Sequence, residues 1–155
     1  TSALDFEINN PDIPGQSEDI FPSNPELANG FEIKLGAQID ASKKVVLYVK
    51  AEADSLSNTE QTKHINIDSL NISPHARSAS DPKMAISGRE PVPGPIACGN
   101  FDGTPGGNSP LYGLRIYEQN GPGSSEPVYQ FAMLNRWNYQ PGYYSANLTF
   151  TLVVE

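Results

Sequence analysis

The residues able to do chemistry are few and widely spaced. The chain has one cysteine, Cys98, and two histidines, His64 and His75. Cys98 sits in Pro95-Ile96-Ala97-Cys98-Gly99-Asn100, where no neighbouring charge favours a thiolate, and a reactive thiol needs a positive, partly exposed setting. A single cysteine closes no internal disulfide, so Cys98 reads as a small packed side chain and leaves the redox compartment open. His64 begins a polar strand and His75 lies in a Ser-Pro-His turn. Neither has the Cys/His spacing of a zinc site nor the H-E-x-x-H pattern, and both read as surface histidines. There is no G-x-S-x-G nucleophile turn and no Walker-type phosphate loop. A nucleophilic triad would need assembly in space without any sequence signature. The stretch 100–108 offers oxygen ligands and glycines, but Asp102 is its only charge and Pro105 interrupts the spacing a calcium loop requires. The expectation is no catalytic centre, no cofactor and no metal.

Two weaker signals concern binding. Trp137, Tyr139 and Tyr143, with Tyr144 beside them, cluster near the last turn. Such rings form a sugar-stacking platform when exposed and cover strand ends when packed, and packing is the commoner use. Two N-x-S/T sequons make Asn71 and Asn147 candidate glycosylation sites.

Charge narrows the partners. The formal net charge is −8, with 10 basic residues against 18 acidic. The largest basic cluster is Lys43-Lys44, too small for the face that displaces counterions from nucleic acid. No apolar stretch approaches the roughly 20 residues of a membrane helix. A chain beginning at Thr1 reads as a mature, exported protein after signal-peptide removal, placed outside the cell or at its surface.

The elements that position these residues read as strands. From Tyr144, the residues Tyr144, Ala146, Leu148, Phe150, Leu152 and Val154 alternate with Ser145, Asn147, Thr149, Thr151 and Val153. Period two over this length predicts a half-buried strand with Leu148, Phe150 and Leu152 in the core. The stretch 128–134 predicts a strand buried on both faces, and Gln140-Pro141-Gly142 a turn that makes the two a terminal hairpin. Alternation over 31–39 and 45–51 around Asp40-Ala41-Ser42-Lys43 predicts a second hairpin. Shorter strands are expected at 65–72, 83–87 and 114–117, and Leu4, Phe6 and Ile8 alternate in another. A helical turn is expected only within 55–61, and residues 91–110 read as a Gly/Pro-rich loop. With 13 glycines, 14 prolines and no amphipathic helix, the pattern is that of an all-β antiparallel sandwich.

The ending Trp137-x-x-x-Pro141-Gly142-x-Tyr144-Ser145-Ala146-x-Leu148-Thr149-Phe150-Thr151-Leu152 is similar to the final strand of surface-fibre subunits, the spore-coat-U-like and alternate-class chaperone–usher pilins. The run from Ser42 to Lys50 resembles an internal strand of the same pilins. The resemblance implies an immunoglobulin-like sandwich that lacks one strand, completed by an N-terminal segment donated from the next subunit. It makes Leu4, Phe6 and Ile8 the donor row, and Leu148, Phe150 and Leu152 the accepting core strand. Residues 1–10 would be the extension, 11–25 a Pro-rich linker and 26–155 the domain. Implied partners are copies of the chain, head to tail in a filament, with an assembly chaperone and surface glycans as candidates. The donor row is short for this family, and the disulfide of some pilins is impossible with one cysteine. TasA-like matrix proteins and archaeal surface filaments also use strand donation. The rival reading is a secreted β-sandwich binding module, a carbohydrate-binding domain or adhesin.

Overall fold

The computed structural model describes residues 2–8, 19–24, 27, 30–75, 85–86, 88–95, 108–136 and 139–155. The protein is an all-β sandwich of antiparallel sheets. The first sheet holds β1 (Ser2–Ile8), β5 (Lys44–Ala51), β6 (Ser55–Ser57), β7 (His64–Asn66), β10 (Leu114–Asn120) and β13 (Gly142–Val154). The second holds β2 (Asp19–Ile20), β3 (Phe31–Glu32), β8 (Leu70–Pro74), β9 (Glu90–Pro91) and β12 (Val128–Leu134). A small ribbon pairs β4 (Leu35–Ala37) with β11 (Gly123–Ser125).

One core lies between the sheets. The first contributes Leu4, Phe6, Leu47, Val49, Leu56 and Leu148, and the second Leu70, Ile72, Tyr129, Phe131 and Met133. β5 is buried on both faces from Val45 to Val49, because Val46 and Tyr48 are covered as well. Tyr48 lies against Tyr112 with ring centroids 5.7 Å apart. β12 alternates instead. Tyr129, Phe131 and Met133 face the core, while on the other face Val128 is buried and Gln130, Ala132 and Leu134 are half-buried, so the expected burial on both sides is complete only at the start of the strand.

Pairing departs from the sequence-based hairpins. β12 and β13 belong to different sheets, because the stretch between them crosses from one layer to the other. The strands around the Asp40–Lys43 turn also part company: β3 pairs with β12, β4 with β11, and β5 with β10 and β13. The turn itself forms, with Lys43 N–H donating to Asp40 C=O at 3.0 Å. The stretch 65–72 is split by a 3-10 turn, Ile67–Ser69, between β7 in one sheet and β8 in the other. Residues 55–57 are strand rather than helix. Asn58 Oδ1 then accepts from Thr62 N–H and Lys63 N–H, both at 2.9 Å, and closes a loop in which Gln61 takes φ +58°. Asp19 and Ile20, inside the segment read as a linker, pair with Leu134 and Met133. Pro22 of the same segment is buried, whereas Pro11, Pro14, Gly15 and Pro25 lie outside the described residues.

β13 carries the expected alternation through Leu148, and then the core ends. Phe150 is half-buried, edge-on to Phe31 at 6.0 Å. Leu152 and Val154 are 49% and 53% exposed. Leu152 is therefore not a core residue of the single chain, although its position in the strand alternation is as expected. Leu148→Ala is expected to cost about 2–5 kcal/mol, the range for a fully buried Leu, and Phe150→Ala only about 1–2, because part of the ring is already in water. Urea melts of the two variants check the order.

Candidate functional site

β1 and β13 form the longest candidate surface for assembly. Ser2 to Ile8 pair antiparallel with Leu148 to Gly142. Leu4, Phe6 and Ile8 are only 1%, 0% and 2% exposed, so the N-terminal row is core of its own domain in the single chain. Within the stretch read as an extension, Ser2–Ile8 are thus a strand of the first sheet, while residues 1, 9 and 10 lie outside the described residues. Ser145 is opposite both Asp5 and Ser57, and Leu148 opposite both Ser2 and Ala51. β1 therefore occupies one edge of β13, with β5 and β6 on the other. Beyond Leu148, β13 continues to Val154 paired only with β5 among the described residues. The track that holds β1 runs on past its first residue, flanked by the exposed Leu152 and Val154.

A clasp holds the outer edge of β1. Asp5 N–H donates to Asn24 Oδ1 at 2.8 Å, and Ser23 N–H donates to Asp5 C=O at 2.7 Å. Asn24 Nδ2 donates to Asp5 Oδ2 at 3.0 Å. These bonds occupy main-chain groups that would otherwise form a bare sheet edge.

The aromatic group divides. Tyr143 is 63% exposed, and its hydroxyl donates to Glu7 Oε1 at 3.2 Å, beside β1. Tyr139 is half-buried and donates to Ser69 Oγ at 2.7 Å. Tyr144 lies in the core and donates to Gln140 C=O at 2.8 Å. Among the described residues no ring of this group contacts another, and Tyr139 and Tyr143 hydrogen-bond to different elements. Trp137, Cys98 and Asp102 lie outside the described residues.

Tyr139 instead lines a polar cleft of about 460 Å³ between β7, the 3-10 turn and the segment leading into β13. Lys63, His64, Asn66, Asp68 and Arg136 share its wall. The cleft has no sequence signature, because Lys63 and Arg136 are far apart in the chain and line one wall only in the folded state. His64 is directly opposite Ser57, and its Nδ1 is 2.8 Å from Ser57 Oγ and 3.4 Å from Ser55 Oγ. A Ser–His pair acts in nucleophilic catalysis when a third group orients the ring. Among the described residues no carboxylate bonds to His64, so this pair positions the ring without forming a triad. His75 is half-buried at the end of β8, its N–H donating to Val128 C=O at 2.9 Å. Among the described residues no group of three His, Cys, Asp or Glu side chains is placed to hold a metal.

The sequons differ in access. Asn147 is exposed on β13. Asn71 is buried, and its Nδ2 donates to Ser69 C=O at 3.2 Å, so the folded chain does not present it for glycosylation. Among the described residues no helix is long and apolar enough to cross a membrane.

Two buried phenols make stability sensitive to alkali. Burial pushes the Tyr144 hydroxyl above its ordinary value of 10.0. Burial, followed by the Glu155 carboxylate, does the same to Tyr48. Above about pH 10 the unfolded chain gives up these protons while the native state keeps them, so stability falls as pH rises. Below that value the contribution is fully present. Urea midpoints are expected to drop between about pH 9 and about pH 11, and to drop less in Tyr48→Phe and Tyr144→Phe.

The fold defines an antiparallel β-sandwich whose N-terminal strand completes the core at a sheet edge. No protein-family model matches the chain, nor does any curated protein or solved structure.

Proposed function

We propose that the protein is a structural subunit of an extracellular filament that polymerises by exchanging β1 between copies. The observation that carries this reading is β1 itself, a strand paired only with β13 among the described residues, whose Leu4, Phe6 and Ile8 complete the core. A strand of this kind makes the same main-chain ladder and fills the same pockets whether it comes from its own chain or from a neighbour. The seven-residue register with β13 is preserved in either case. Donation from each copy to the next is a heterologous contact that does not close, and such contacts build filaments. The continuing edge from Thr149 to Val154, with Leu152 and Val154 exposed, supports the reading further. Among the described residues its outer side is an unpaired strand edge beside apolar side chains, which a subunit must cover before or during assembly. An assembly chaperone would act there.

Electron microscopy of the purified chain tests the proposal. Filaments are expected from the full chain and none from Phe6→Asp, which would bury an unpaired carboxylate. A chain lacking residues 1–10, supplied with that segment as a free peptide, is expected to fold as discrete particles, since it has nothing to donate. Filaments of normal appearance from the truncated chain with its peptide would overturn strand donation from this end. So would a full chain that stays monomeric at every concentration.

A further inference from the structure

The cleft beside Tyr139 has a chemistry that strand exchange does not use. It lies at the β7 edge of the first sheet. The protein as a whole is strongly acidic at −8, yet this cleft brings the cations Lys63 and Arg136 together against one carboxylate, Asp68. Among the described residues neither Lys63 nor Arg136 has an ion-pair partner. Around them, the neutral polar groups already have fixed directions. Asn66 Oδ1 accepts from Asp68 N–H at 3.2 Å, which leaves its amide N–H groups to donate. His64 Nδ1 is engaged by Ser57, which leaves Nε2 for a ligand. Tyr139 is held by its hydroxyl on Ser69, so its ring is anchored in the wall.

We infer that this cleft binds a uronic-acid unit, a sugar carrying a carboxylate. The two cations, without ion-pair partners among the described residues, suit the carboxylate, since guanidinium and ammonium groups make strong charge-assisted hydrogen bonds to it. Asp68, Asn66 and His64 suit ring hydroxyls, which both donate and accept. The volume falls in the range of about 300–1,000 Å³ usual for small-ligand sites. A neutral sugar would leave the cation pair unused. A peptide strand is disfavoured because β7 offers only three residues of edge, His64–Asn66.

The test is titration calorimetry of the full chain with short oligogalacturonates, the matching neutral galacto-oligosaccharides, and inorganic phosphate. Saturable binding of the uronate is expected, with the neutral sugar at least about 10-fold weaker and phosphate a poor competitor. Arg136 is exposed, so Arg136→Gln is expected to keep the melting curve and weaken uronate binding about 10-fold or more. Lys63→Gln serves as the second variant, with the same expected direction. Absence of saturable uronate binding would overturn the inference, as would equal binding of the neutral sugar. Phosphate displacing the uronate at equal concentration would make the cleft a general anion site and overturn the sugar assignment. Unchanged binding in both variants would remove the cation pair from the site.

Discussion

Deleting residues 1–10 is expected to leave a chain that does not hold its fold alone, and adding the segment back as a free peptide is expected to restore it. Leu4, Phe6 and Ile8 are each at most 2% exposed. Burying such side chains contributes roughly 1.5–3 kcal/mol apiece. Their sum is comparable with the roughly 5–15 kcal/mol that holds a whole domain together. The truncation also strips the ladder partner from residues 142–148 and empties the Asn24 clasp. The peptide regains the same contacts at the entropic cost of capturing a second molecule. Circular dichroism melts of the truncated chain, with and without peptide, give the measurement. A truncated chain that melts like the full one would mean that β1 contributes little to the core. Phe6→Asp should resemble the truncation, and Phe6→Asp peptide should fail to rescue it.

Gly113→Ala is expected to be the most damaging glycine-to-alanine substitution among the described residues, at about 3 kcal/mol or more. Gly113 takes φ +98°, where side chains are strained. A Cβ there would lie 2.4 Å from Val49 O and 2.8 Å from Lys50 Cβ. Val49 belongs to the central strand β5 and is fully buried, so its carbonyl has nowhere to retreat. Gly113 also exchanges two main-chain hydrogen bonds with Ser109, at 2.8 and 3.0 Å, at the point where the chain enters β10. Gly36 provides the control, because a Cβ there meets nothing within 4 Å. Thermal melts should separate the two alanine variants by many degrees. Equal melting points would show that β10 does not pack against β5 this closely.

Strand identity was legible in the sequence wherever the period-two pattern was long. The rows Leu4-Phe6-Ile8 and Tyr144-Ala146-Leu148 both face the core as their alternation requires. Partner choice was not legible. Alternation tells which face a strand buries, but any two such strands have compatible main chains, so β12 and β13 looked like a hairpin and proved to lie in opposite layers. Depth of burial was also hidden. Phe150 and Leu152 continue the row of Leu148, yet Phe150 is only half-buried against Phe31 and Leu152 is exposed. The candidate cleft was less legible still. His64 was visible as a lone histidine, while Lys63, Asp68 and Arg136 carried no motif and line one wall only in the folded state.

By itself the amino-acid sequence determined the class: short alternating strands, many turn residues and no amphipathic helix leave an antiparallel β-sandwich as the way to bury the apolar rows. It also determined the acidic balance, a formal net charge of −8. Tertiary structure alone decided where β1 goes, which part of β13 pairs with β5 alone among the described residues, and which charges line one cleft. The physical reason is that local periodicity is set by backbone geometry within one strand, whereas pairing and burial depend on the total area that distant segments cover when the layers close.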